Sequence, residues 1–382
     1  MRAALLILIC IKGLLGSAQV YSEENSITIP SESAFAIQSQ SSDFRCILEL
    51  GNKQVVLSAD KHNSTNQWFT SAIIYSDTET MARILKSTKP VRWALVSVPR
   101  IMDSQPNKLE KRGTCEEPNT ICQSTWRVGL TSPTKGRNAT KTEHCIIHHS
   151  AANSGDTNYT QIVRSIYTFH TQSNGWDDIG YNYLIAANGS IYKGRDPEKI
   201  DIEQDNVQGA HFCGKNAGTM GVCLIGDLQT NEPTDTQLNA LIHLLKWKVK
   251  KSALAPLRFK EHPKPGDKLL SVIAGHRDGC STLCPGDNLY KRLSQIRTAA
   301  NECSPYLGTS MPEVLDEIKM EKQNSVLLIS GSKDVHQWKL FSLMGQLLQS
   351  SEEEVLKVQL KGFYILQYTI GGEQNFRIIE NL

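Results

Sequence analysis

The sequence predicts an α/β domain flanked on both sides by smaller β-rich segments. Three observations carry that reading. Strand-length apolar runs alternate with helix-period segments between about residues 124 and 303, the pattern of a single α/β unit. Short apolar runs separated by polar turns fill 44–99. The same strand pattern returns over 325–382, with Gly345, Gly362 and Gly371-Gly372 marking turns. A chain of 382 residues is long for one average domain, so two or three are expected. The composition is 40% hydrophobic and 21% charged, as in ordinary globular proteins. A net charge of +2 without a long basic run gives no sign of nucleic-acid binding.

At the N-terminus, Met1-Arg2 precedes an apolar run, Ala3 to Ile11, and a small-residue exit at Gly16-Ser17-Ala18. A charged start, a short apolar core and small residues read as a secretory signal peptide over 1–18. No later apolar stretch is long enough to cross a bilayer. Residues 19–42, rich in Ser, Gln and Glu, read as a flexible lead-in. Within 44–99, Cys46-Ile47-Leu48, Val55-Val56-Leu57, Ala72-Ile73-Ile74-Tyr75 and Trp93-Ala94-Leu95-Val96 read as strands of an accessory domain, and 78–86 as one short helix. Residues 100–142 read as a connector.

In the α/β part, 144–148 is a strand centred on Ile146 and Ile147. The spacing of Ile162, Val163, Ile166, Tyr167 and Phe169 predicts a helix over 158–171. Asn188-Gly189 between 181–187 and 190–193 predicts a hairpin, and 220–225 a strand. Thr234 and Gln237 form a capping box ahead of Leu238, Leu241, Ile242 and Leu245. That helix ends in Lys246, Lys248, Lys250 and Lys251, as its dipole favours. Residues 288–300 form a last helix. Residues 304–324 read as a linker.

Ten cysteines suit an exported chain. With Cys10 removed in the signal and Cys284 set aside, Cys46, Cys115, Cys122, Cys145, Cys213, Cys223, Cys280 and Cys303 remain, an even set for disulfides. The short loops Cys115–Cys122 and Cys213–Cys223 are the expected pairs. Asn63, Asn138, Asn158 and Asn188 begin glycosylation-type tripeptides.

Chemistry gathers at GHRDGCSTLCPG, residues 275–286, and upstream at HCIIHHSA. His148, His276 and Cys284 together offer two imidazoles and a thiolate. These fill three of the four tetrahedral positions that zinc prefers and leave one for water. Such an ion brings the pKa of that water near neutrality and polarises a carbonyl, so the residues point to metal-assisted hydrolysis of an amide or ester. His149 is expected on the opposite strand face from His148. His170 is expected in a helix core, and His144 in a structural role.

Three segments in order, GWDDIGYNYLIAANGSIYKGRD, GAHFCGKNAGTMGVCLIGD and GHRDGCSTLCPG, resemble the peptidoglycan recognition protein and type 2 N-acetylmuramoyl-L-alanine amidase family. The resemblance covers Trp126 to Cys303, about half the chain. It implies a central mixed sheet flanked by helices, with a peptide-binding cleft over Zn2+ held by His148, His276 and Cys284. It makes Tyr181 and Thr282 the catalytic donors to a developing oxyanion. His211 and Asn216 would line the cleft. Trp176 would pack or form an aromatic wall, and Arg195 and Arg277 would meet substrate carboxylates or pair with Asp196 and Asp278. The implied activity is hydrolysis of the amide between N-acetylmuramic acid and L-alanine of peptidoglycan, by a secreted enzyme. The alternative is non-catalytic peptidoglycan binding, which Cys284 argues against. In the tail, WKLFSLMGQLLQ and LKGFYILQYTIGGEQNFRIIEN resemble a type IX secretion sorting domain, which would make that secretion machinery a partner.

Overall fold

The computed structural model describes residues 20–59, 67–101, 115–133, 137–151, 157–198, 201–262, 269–306, 318–323, 326–331, 335–342, 346–353, 355–359, 361–370 and 373–381. The signal-like segment, Cys10 and Asn63 lie outside these residues.

The first unit is a β-sandwich of β1 (Val20–Ser22), β2 (Ser26–Ile29), β3 (Ser33–Ser39), β4 (Arg45–Leu50), β5 (Lys53–Ser58), β6 (Phe69–Thr70), β7 (Ile74–Ser76), β8 (Thr80–Ser87) and β9 (Arg92–Ser97). One sheet runs β1-β9-β3-β6 with β7 beside β3, and the other runs β2-β8-β4-β5. Phe35, Ile37 and Trp93 of the first sheet meet Ile29, Cys46, Leu48 and Ala82 of the second in one core. Two expectations fail here. Residues 20–39 are not a lead-in. β3 is buried along its whole length and pairs with β9 and β7, because both faces of its apolar run are covered: Phe35 and Ile37 enter the sandwich core, and Ala34 and Ala36 pack in a second cluster with Phe169. Residues 78–86 do not form a helix. In β8 Ala82 is buried between exposed Met81 and Arg83, a period of two that fits a strand.

The second unit follows α1 (Gln123–Trp126) and contains β10 (His144–His149), α2 (Tyr159–Thr168) running into a π-helical turn at Phe169–Ser173, β11 (Tyr183–Ile185), β12 (Ile191–Lys193), β13 (Thr219–Leu224), α3 (Asp235–Lys251), β14 (Phe259–Glu261), β15 (Leu269–Ser271), β16 (Ile273–Gly275), α4 (His276–Gly279), α5 (Asp287–Tyr290) and α6 (Leu293–Asn301). Its sheet has the order β12-β11-β13-β10-β16. β10 lies parallel to β13 and β16, β11 is parallel to β13, and β12 is antiparallel to β11. This is the expected mixed sheet between helices.

Strand alternation decides what each face carries. Cys145 and Ile147 of β10 point into the core under α3 and α6, with Met220, Val222, Leu241 and Ile296. On the other face, Leu184 and Cys223 meet Ile162, Val163 and Ile166 of α2. The Thr234 hydroxyl accepts from the Gln237 N–H at 3.1 Å and starts α3 as expected. The Gln237 side chain does not complete the box. It donates instead to the Ile185 and Ile225 carbonyls at 2.9 and 3.1 Å, tying the helix start to the sheet.

Disulfides join Cys115 to Cys303 and Cys213 to Cys280, with Cα–Cα distances of 5.7 and 6.3 Å. Neither is an expected pair. Cys223 sits in a central strand, buried against α2, out of reach of the Cys213 loop. Burial pushes the free thiols of Cys46 and Cys145 up to about 11 and about 12. They behave as small apolar core residues.

The tail holds β17 (Ile318–Gln323), β18 (Val326–Gly331), β19 (Val335–Ser342), β20 (Leu347–Ser351), β21 (Val355–Val358), β22 (Gly362–Ile370) and β23 (Glu373–Asn381). Sheets β17-β18-β21 and β20-β19-β22-β23 close on a core with Ile329, Trp338, Leu356 and Leu366, the expected all-β unit. β17 lies wholly within the stretch expected as linker, 304–324, and pairs with β18. Among the described residues no helix is long and apolar enough to cross a membrane.

Candidate metal centre

Three elements deliver the three expected ligands. His148 is the fifth residue of β10, on the face opposite Ile147. His276 opens α4 immediately after β16. Because β10 and β16 pair in parallel, with Ile147 beside Gly275, the two histidines leave the same end of the sheet. Their ring centroids are 4.5 Å apart. Cys284 comes from the loop after α4. That loop is held down by the Arg277 N–H, which donates to the Cys284 carbonyl at 3.0 Å. The Asp278 carboxylate accepts from the Gly275 N–H at 2.8 Å and the Tyr290 hydroxyl at 2.6 Å, fixing the start of α4.

The donor atoms of His148, His276 and Cys284 lie within 4.8 Å of one another and all three residues are buried. The His148 Nδ1 is 3.6 Å from the Cys284 Sγ. Zinc–nitrogen and zinc–sulfur bonds of about 2.0–2.1 and 2.3 Å at a tetrahedral angle place two such donors roughly 3.6 Å apart. The residues therefore fit a single borderline-soft divalent ion.

A hydrogen-bond chain behind His148 fixes its orientation. Its Nε2 is 3.0 Å from the His211 Nδ1, and the His211 Nε2 is 3.3 Å from the Thr219 hydroxyl. That hydroxyl donates to the Asn216 carbonyl at 2.9 Å. One proton assignment satisfies every link: His148 donates from Nε2, His211 donates from Nε2, and the His148 Nδ1 keeps its lone pair toward Cys284. Metal-binding histidines are commonly oriented in this way by a partner on the far ring nitrogen.

A family profile of N-acetylmuramoyl-L-alanine amidases matches residues 138–287. Peptidoglycan-recognition protein SC2 of Drosophila simulans is 31% identical over 183 residues, covering 47% of this chain and 86% of that protein. Peptidoglycan-recognition protein LB of Drosophila melanogaster is 34% identical over 176 residues, covering 45% of this chain and 67% of that protein. The chain belongs to the type 2 amidase and peptidoglycan-recognition family. The solved structure of Drosophila PGRP-LB aligns with 46% of the chain at 31% identity and a TM-score of 0.36.

The other candidates of this family member fall in several places. Tyr181 is close to the centre, its ring 5.2 Å from that of His148, and is 7% exposed. The Thr282 hydroxyl accepts from the Cys284 N–H at 3.1 Å, so it shapes the ligand loop. His211 is buried behind His148 instead of facing open cleft. Gly209 and Gly221 leave room for its ring, since a Cβ on either would come within 2.5 Å of the His211 Cδ2. Asn216 also works as scaffold. Its side-chain oxygen accepts from the His211 and Phe212 N–H groups at 2.7 and 2.9 Å.

Arg195 is 6% exposed and bound to both oxygens of Asp177, at 2.7 and 2.6 Å. Neither arginine takes its expected aspartate: Asp196 belongs to Arg127, and Arg277 pairs with Asp287. Trp176 packs beside His170 with tilted rings, 4.5 Å between ring centroids. His149 points away from His148 as expected, and its Nδ1 accepts from the Leu228 N–H at 3.1 Å. His144 and His170 are buried and hydrogen-bonded to backbone, matching their expected roles.

Sequence reasoning missed Arg137, fully buried on Asp177 and Asp178 at 2.6 and 3.1 Å. It also missed Lys248, buried on Asp205 at 2.6 Å. The signal for Lys248 was present: position 248 falls on the apolar face continued by Leu241, Leu244 and Leu245.

Proposed function

We propose that the chain is a secreted, zinc-dependent N-acetylmuramoyl-L-alanine amidase that hydrolyses the amide between the lactyl group of N-acetylmuramic acid and the L-alanine of the stem peptide. The observation that carries this reading is the third donor: a cysteine, Cys284, converges with two histidines at one buried point. Bound there, zinc would supply a water activated near neutral pH and a polarised carbonyl. His148, His276 and Cys284 hold the ion, and His211 keeps the His148 ring in its tautomer. Tyr181 donates its hydroxyl toward the oxyanion that develops at the attacked carbonyl, where a preorganised donor helps most. Thr282, its oxygen already engaged by the Cys284 N–H, still has a proton to donate. Two disulfides and the signal-like N-terminus support export. On this reading residues 124–303 are the catalytic unit, and the tail sandwich serves a type IX-like export route.

The test is chelation and repletion. Peptidoglycan incubated with the full chain releases new amino groups, release stops in chelator, and one equivalent of zinc restores it. Release that persists in the metal-free protein would reject the proposal. His211 gives a narrower check. The His211→Ala variant is expected to bind zinc about 10–100-fold more weakly in a calorimetric titration, because the His148 ring loses its partner. An unchanged affinity would assign His211 to packing alone.

A further inference from the structure

We infer that the Cys213–Cys280 disulfide preorganises the metal centre, so that the chain holds zinc tightly only once these two thiols are oxidised; the inference rests on the zinc reading above. The bond joins the two segments that build the centre. Cys280 lies four residues after His276 and four before Cys284. Cys213 lies two residues after His211, the residue that orients His148. The two cysteines are 67 residues apart in sequence, so chain connectivity alone does not hold these segments together.

Residues 211–213 act as a clasp, and each touches a different part of the centre. His211 meets the His148 Nε2 at 3.0 Å. The Phe212 ring lies 6.0 Å from that of His276, and it packs so close to Gly279 that a Cβ there would collide with it. Cys213 is bonded to Cys280. Cys213 also has a φ of 42°, a left-handed backbone that costs a residue with a Cβ. Such a conformation persists where the surroundings fix the chain, and the cross-link fixes it here.

On the facing side, the ligand loop needs an anchor at its middle. Ser281 and Leu283 are exposed. The bond from the Arg277 N–H to the Cys284 carbonyl holds the far end, and the disulfide pins the point midway between the two ligands. Without that pin, an arriving ion must itself order the loop and the clasp, which lowers its affinity.

The second disulfide is a contrast within the same fold. Cys115–Cys303 joins the segment before α1 to the end of α6, and neither segment carries a ligand or His211. Cys303 is buried, whereas Cys213 is exposed, and an exposed disulfide is open to attack by a thiolate. The Cys213–Cys280 bond forms by exchange: a small-molecule or protein disulfide takes two electrons and two protons from the two thiols and leaves as two thiols. In a reducing compartment the pair stays as thiols and the centre stays loose; in an oxidising one it closes. The amidase thus gains its ion after leaving the compartment in which it is made.

The experiment titrates zinc into metal-free full chain by calorimetry, with melting curves on the same samples. Four samples are compared: oxidised wild type, wild type reduced by a phosphine under nitrogen, Cys213→Ala with Cys280→Ala, and Cys115→Ala with Cys303→Ala. The reduced wild type and the first alanine pair are expected to bind zinc about tenfold or more weakly; a serine pair serves if the alanine pair does not fold. The second alanine pair is expected to melt lower yet keep wild-type affinity, which separates an effect on the centre from a general loss of stability. Wild-type affinity without the Cys213–Cys280 bond, or an equal loss in both alanine pairs, would overturn the inference and leave the zinc reading standing. An oxidised wild type that binds no zinc would overturn both.

Discussion

Replacing Cys284 with serine is expected to lower peptidoglycan hydrolysis on the order of 10³-fold or more while leaving the fold intact. Serine keeps the volume of the side chain but offers a neutral hydroxyl in place of a thiolate, so a three-ligand site becomes a two-ligand site. The chemistry supplied by the ion is worth several kcal/mol in the transition state, and each 1.36 kcal/mol is about tenfold in rate. The Cys284 Sγ also accepts from the His149 N–H at 3.4 Å, a bond that a serine oxygen can keep. The loss should therefore come from the metal site and not from loop collapse. Zinc content, far-UV dichroism and hydrolysis measured on one preparation separate these causes. Near-wild-type hydrolysis by the serine variant would remove Cys284 from the machinery.

Replacing Lys248 with alanine is expected to destabilise the protein by about 3 kcal/mol, the low end for breaking a buried ion pair. Lys248 and Asp205 have side chains 0% and 1% exposed and lie 2.6 Å apart. Removing the lysine strands a buried carboxylate, partly rescued by Lys251 at 2.9 Å. Reversible unfolding should read the change, and a Lys248→Met, Asp205→Leu double variant should lose less than the single one. A change below about 1 kcal/mol, the range of exposed pairs, would show that the pair is hydrated. The same cluster sets an acid limit. Burial works against the charge on Asp205, but Lys248 and Lys251 outweigh it and hold the carboxyl below its ordinary 3.8. Its contribution is therefore complete above about pH 4 and lost as the pH falls further. The Asp205→Asn variant should show a shallower fall in stability below pH 4.

The candidate metal ligands were legible in part from residue types, because imidazole and thiolate are chemically specific, and the family resemblance completed the set. Strand alternation put His148 and His149 on opposite faces, the family resemblance chose His148, and GHRDGCSTLCPG carries His276 and Cys284 eight residues apart. The surrounding assignments were less legible because burial depends on tertiary neighbours. His211 and Arg195 carry the same side chains whether they meet substrate or a buried partner. Their signals were indirect: glycines at 209 and 221 that leave room for a ring, and Asp177 eighteen residues before Arg195. The disulfides were unreadable for the same reason, since Cys115 and Cys303 are 188 residues apart in sequence and only the tertiary fold brings them together. In the N-terminal unit the polar flanks of 20–39 hid a buried central strand. Nothing in its composition announced that it would dock on α2 beside the metal loop.

The most direct measurement is a mass spectrum of a defined N-acetylmuramoyl pentapeptide after incubation with the zinc-loaded full chain. The account predicts two products, N-acetylmuramic acid with a free lactyl carboxylate and a pentapeptide with a free L-alanine amine, and neither in chelator. Intact ligand recovered from a chain that binds it would contradict the account and leave a recognition protein in place of an enzyme.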